Sequence, residues 1–254
     1  TDALSVTAEA GVYLFPRLVA AGGALYALWY EHGSDSLFSA GSGGAIYYSK
    51  LIDGAFGESV LLYYGLPLVT SLAACVQNDK PSALFSCDSD GDLSTSFDSR
   101  VYLADGSALM VKASGALGSV VSNGSASAWT DGQMLYYLAS PDASAFELCE
   151  VSVLRQLCFT HDGSLLVCDD SGVRILNADN EFELLYRTED GVYIDDCAYL
   201  AQGGLAVILT SLDSQSMTVS SKLSLGAALQ AAQDVYATET SAEALPDFSV
   251  RTLQ

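Results

Sequence analysis

Basic residues are scarce in this chain: ten lysines and arginines stand against 31 aspartates and glutamates, a formal net charge of −21 over 254 residues. A surface of that sign repels phosphate backbones and anionic headgroups, which excludes nucleic acid and acidic lipid as partners. No run approaches the ~20 apolar residues of a membrane helix, so no membrane insertion is expected. Only five prolines and two histidines, His32 and His161, are present. Patterns of helical period are nearly absent. The cysteines form no Cys-x-x-Cys or Cys/His spacing, which argues against structural zinc. A G-x-S-x-G elbow, a phosphate-binding glycine loop, an H-E-x-x-H pair and a dinucleotide fingerprint are all missing, so the common catalytic frameworks have no foothold.

What is present is short apolar strands closed by turn formers. Leu154 to Asp190 reads as four strands, 154–159, 164–168, 173–177 and 182–188. They are separated by His161-Asp162-Gly163, Asp170-Ser171-Gly172 and Ala178-Asp179-Asn180. Four antiparallel strands in so short a span is the size of one propeller blade. A strand, tight turn and second apolar strand recur at Leu18–Tyr30, Leu72–Cys87, Ser127–Leu138, Leu157–Cys168 and Cys197–Leu209. With Gly23, Lys80, Gly132, Gly163 and Gly204 as turn markers, the intervals are 57, 52, 31 and 41 residues. The expected fold is all-β: a β-propeller of five irregular blades of three to four antiparallel strands over residues 1–240. Residues 241–254 are expected to be a linker or the start of a following module. The third blade is the anomaly, since 31 residues leave room for only three strands. Thr1–Val12 is expected to supply an outer closing strand, and Gly226–Tyr236 a short helix or a final strand.

Within Ala45–Gly65, an aromatic strand (Ile46-Tyr47-Tyr48) runs into Ser49, the turn Asp53-Gly54 and Phe56. This resembles the sialidase-type, BNR-like propeller repeat, best over residues 13–65. The resemblance implies that the turn serine and aspartate satisfy backbone groups, a structural and not a catalytic role. The usual serine-to-aspartate spacing and the Thr-Trp ending are missing. A sialidase would also gather several arginines around a substrate carboxylate. Arg17 and Arg155 precede inner strands, Arg174 lies in a third strand, and Arg100, Arg187 and Arg251 are peripheral.

Alternate carboxylates around Gly91, namely Asp88, Asp90 and Asp92, supply the hard oxygen ligands of a calcium ion, or form an acidic turn. No other cofactor is implied. Asp195-Asp196 and Asp88/Asp90 are the positional candidates for a glycosidase acid pair. Asn123-Gly124-Ser125 fits a glycosylation sequon, but in a bacterial protein it reads as a turn. His161 reads as a solvent-facing turn residue. The cysteines are either small core thiols or the cross-strand disulfides Cys75–Cys87 and Cys158–Cys168. Adjacent tyrosines at 47/48, 63/64 and 136/137 must face opposite sides of their strands.

The functional expectation is a non-catalytic, monomeric propeller module of a secreted or cell-surface bacterial protein, binding a glycan or protein partner. A carbohydrate-active enzyme with an unidentified carboxylate pair and a purely structural spacer are the alternatives.

Overall fold

Three hairpins are fixed by two-residue turns whose central residues both have positive φ, the mirror-image turn that matches the twist of paired strands. Gly22-Gly23 (52°, 75°), Asp53-Gly54 (49°, 83°) and Asn78-Asp79 (51°, 60°) are these turns. Only the last uses two residues with a Cβ, a conformation that asparagine and aspartate tolerate best.

The computed structural model describes residues 12–33, 43–66, 68–88, 99–106, 109–114, 118–188, 191–199, 204–213 and 218–225. The first sheet holds β1 (Val12–Ala21), β2 (Ala24–His32), β3 (Gly44–Ile52), the short β4 (Ala55–Phe56) and β5 (Val60–Leu66). The second holds β6 (Leu68–Gln77), β7 (Lys80–Asp88), β8 (Arg100–Ala104) and β9 (Leu109–Ser114). The third comprises β10 (Val120–Ser122), β11 (Ser127–Thr130), β12 (Met134–Leu138) and β13 (Phe146–Glu150). The fourth comprises β14 (Gln156–Phe159), β15 (Leu165–Asp169), β16 (Gly172–Leu176) and β17 (Phe182–Arg187). The fifth is β18 (Val192–Tyr199), β19 (Leu205–Asp213) and β20 (Thr218–Leu225). Every strand pair is antiparallel and each sheet is a sequential meander, apart from β5, which returns to pair with β3. The chain is therefore all-β and of propeller type, built from successive blade-like meanders. Among the described residues there is no helix, hence none long and apolar enough to cross a membrane.

The third sheet corrects the repeat phase. Ser127–Leu138 is its second hairpin, β11–β12, whereas the other four recurring hairpins open their sheets. The opening turn is Asn123-Gly124-Ser125, between β10 and β11. There Asn123 Oδ1 accepts the Ser125 and Ala126 amides at 3.0 and 2.9 Å. Moving the marker from Gly132 to Gly124 lengthens the interval to Gly163 from 31 to 39 residues, and the sheet has four strands after all.

The chain divides into two compact units, Thr1–Val151 and Ser152–Gln254. In the first, β7 is buried along nearly its whole length because it is packed on both faces. Ala83, Phe85 and Cys87 join Leu28, Tyr30, Ile46 and Leu72 in one core. Leu84, with Val101 and Leu103, joins Val120, Trp129 and Leu138 in another. The second sheet is thus the middle layer between the first and third. In the second unit, Leu166, Cys168, Val173 and Ile175 of the fourth sheet meet Ile194, Cys197, Val207 and Leu209 of the fifth. A bulge between Ile194 and Asp196 lets Ile194 and Cys197, three residues apart, both face that core.

The neighbouring tyrosines do part. Tyr47 stacks on Trp29 while Tyr48 meets the edge of Tyr26. Tyr136 stacks on Trp129 and Tyr137 meets Phe146. Leu84 and Leu135 are core residues, whereas Leu25, which also follows its hairpin turn closely, is exposed, because the buried run of β2 starts two positions later at Ala27. Thr1–Gly11, Gly226–Tyr236 and 241–254 lie outside the described residues.

Candidate functional site

A cleft of about 370 Å³ opens in the first unit, lined by Tyr48, Val60, Leu61, Leu62, Gln77, Asn78, Lys80, Pro81, Asp105 and Gly106. That volume suits a small ligand. Four pieces of chain build it: β3, the β5 strand, the β6–β7 turn and the end of β8. Their sequence separation is why no local motif announces it. Val60 and Leu61 give it an apolar rim, being about half exposed. Gly106 has φ of 85°, and a Cβ there would touch Leu62.

Gln77 is the informative side chain. Its Nε2 donates to Asp142 Oδ1 at 3.0 Å. An ionised carboxylate only accepts, so the amide nitrogen must face Asp142 and the oxygen must turn away from it. That oxygen, Oε1, is buried and has no hydrogen-bond partner in the protein. An unmatched buried acceptor costs stability until a donor reaches it. Among the lining residues Asp105 is the single carboxylate.

The residues singled out by sequence fall elsewhere. Asp88 ends β7 fully buried, its carboxylate accepting the Ser99 hydroxyl at 3.4 Å. Asp90 and Asp92 lie outside the described residues. The same Cys-Asp dipeptide closes β15, where buried Asp169 forms an ion pair with Arg174 and accepts the Ser171 amide at 3.0 Å. Asp195 and Asp196 are consecutive exposed residues at the β18 bulge, not a facing pair. Asp195 accepts the Thr210 hydroxyl, and Asp196 accepts the Cys197 amide at 2.8 Å.

Three arginines have structural partners. Arg17 donates to the Leu72 carbonyl at 2.8 Å, Arg155 pairs with Asp170 at 3.0 Å, and Arg174 pairs with Asp169 while lying over the Phe182 ring. His161 is exposed in its turn, as expected, while His32 is buried with Nδ1 at 3.1 Å from the Tyr30 hydroxyl. In the turn that resembles the BNR repeat, Ser49 donates to the Gly57 carbonyl at 2.8 Å. Burial drives the Tyr30 hydroxyl up to about 12, and Gly44 is the residue that makes room for its ring: a Cβ there would lie 2.3 Å from it.

None of the six cysteines is in a disulfide. Cys75 pairs with Ser82 and faces the core shared with the third sheet, whereas Cys87 faces the core shared with the first. Thiols on opposite faces of one sheet cannot join, which removes Cys75–Cys87. Cys158 and Cys168 share a face, but Cys158 is opposite Leu166 and Cys168 is opposite Gln156. They are diagonal neighbours at roughly 7–8 Å, beyond the Cα separation of about 4.4–6.8 Å that a disulfide spans.

No protein-family model matches the chain, and no curated protein matches it. Solved structures similar to it include a puromycin-hydrolyzing peptidase from Mycobacterium tuberculosis, at 13% identity and a TM-score of 0.47, covering 81% of this chain and 38% of that one. The chain thus spans well under half of that peptidase's length. Virginiamycin B lyase from Staphylococcus aureus shows 10% identity and a TM-score of 0.44, covering 82% and 84% of the two chains. The extracellular domain of a hybrid two-component system protein from B. thetaiotaomicron shows 10% identity and a TM-score of 0.41, covering 86% and 34%. Likeness at this level transfers no activity; the fold assignment rests on the sheet topology above.

Proposed function

We propose that this chain is a non-catalytic β-propeller module of a secreted or cell-surface bacterial protein, and that it binds a glycan in the cleft of its first unit. The observation that carries this reading is a cavity of about 370 Å³ lined in part by Gln77, whose amide oxygen is buried without a partner in the protein. A sugar hydroxyl is a donor of the right kind. Asn78, Lys80 and Asp105 add donors and acceptors around it, and Tyr48, Val60 and Leu61 offer apolar surface for a pyranose face. Hydrolysis of a glycosidic bond calls for two carboxyl groups flanking it. The single lining carboxylate, Asp105, supports binding over catalysis at this cleft.

A glycan array on the full chain, with soluble Gln77→Ala and Tyr48→Ala variants of unchanged melting temperature alongside, tests the proposal. Binding by the wild type that drops at least tenfold in both variants supports it. An array without hits, or hits kept by both variants, rejects it. Release of reducing ends from a bound oligosaccharide would replace the binder with an enzyme.

A further inference from the structure

In the second unit the thiols gather at one place. Gln156 of β14 lies directly opposite Cys168 of β15, so their side chains share a face. Gln156 Oε1 accepts both the Cys197 amide, at 3.1 Å, and the Cys197 thiol, at 2.9 Å. Cys197 is thereby held over that face from the fifth sheet, with Cys168 and Cys197 in one buried core and Cys158 packed against it. The β18 bulge at Asp195 is what turns Cys197 inward. We infer that Cys168 and Cys197 are a disulfide-forming pair that covalently ties β15 to β18 when the protein folds in an oxidising compartment.

The step balances with a small disulfide oxidant such as oxidised glutathione. One cysteine thiolate attacks its S–S bond and releases one glutathione thiol. The second cysteine then attacks the mixed disulfide and releases the other. Two protein thiols lose two hydrogens, one S–S bond forms, and the oxidant leaves as two thiols. In the folded, reduced protein the neighbouring Cys168 side chain, then burial, hold the Cys197 thiol protonated well above its ordinary range. Attack is therefore slow once the sheets are packed, and the link closes during folding and not afterwards.

The pair is independent of the cleft, which belongs to the other unit, so failure of either idea leaves the other standing. The test is to refold the full chain in a glutathione redox buffer, alkylate the remaining thiols and map the peptides by mass spectrometry. The expected result is one link joining the peptides that carry Cys168 and Cys197, with the other four thiols alkylated. The melting temperature should rise by about 5 °C or more over the reduced form, and Cys197→Ser should lose the redox dependence. Complete alkylation of all six thiols, or a link that uses Cys75, Cys87, Cys149 or Cys158, overturns the inference. The mapping uses the wild-type chain, so it decides even where the serine variant folds poorly.

Discussion

The hairpins β6–β7 and β14–β15 look interchangeable in sequence. Each opens its sheet, each carries a cysteine in both strands, and each ends on Cys-Asp. Their turns separate them. In β6–β7 a two-residue turn pairs Gln77 with Lys80, which places Cys75 and Cys87 on opposite faces. In β14–β15 the longer turn Thr160–Ser164 puts Cys158 and Cys168 on the same face. The turns also dispose of their polar groups differently. Thr160 Oγ1 accepts the Ser164 amide at 3.1 Å and donates to Asp162, which holds that carboxyl below the usual range. That turn is closed upon itself. The β6–β7 turn instead presents Gln77, Asn78 and Lys80 to the cleft. Cadence locates a hairpin, whereas turn length decides which face each residue takes and whether the turn has anything left to offer a ligand.

Asp169→Ala leaves the Arg174 guanidinium without its carboxylate in a largely buried site, and should cost about 3–5 kcal/mol in chemical denaturation. Core truncations come next. Leu84→Ala in β7 and Leu166→Ala in β15 should each cost about 2–5 kcal/mol, with the larger value for Leu84, whose strand is packed between two sheets and cannot collapse onto the cavity. Equal loss from the exposed Leu25→Ala would contradict the burial pattern.

Alkaline titration sharpens the picture of the first unit. The Tyr30 proton is held more tightly folded than unfolded, so its contribution is fully present below about pH 10 and is lost as pH rises toward about 12. Tyr30→Phe should show a weaker stability loss across that window. The smallest effect is at the turn itself: Asp79→Gly relieves a positive φ of 60° and should raise stability by roughly 0.5–1 kcal/mol.

Much of the fold was legible from strand and turn chemistry alone. The four strands of 154–190 fall within two residues of their expected limits, because each apolar run is short and bounded by Gly, Asp or Asn. The third sheet escaped because β10 is three residues long and its Asn-Gly turn competes with the stronger Asp131-Gly132 signal, where Asp131 Oδ1 accepts the Gln133 and Met134 amides at 2.9 and 2.8 Å. The Cys168–Cys197 approach depends on a bulge at Asp195 that the adjacent aspartates disguise as a functional pair. The cleft was invisible because Tyr48, Gln77 and Asp105 come together only after two sheets have packed.

The most direct measurement is a calorimetric titration of an array-positive oligosaccharide into the wild type, Gln77→Ala and Asp162→Ala. A binding turn and a self-closed turn predict that Gln77→Ala weakens affinity at least tenfold, about 1.4 kcal/mol, while Asp162→Ala leaves it unchanged. Equal affinities across all three proteins would contradict the assignment of the ligand to the β6–β7 cleft.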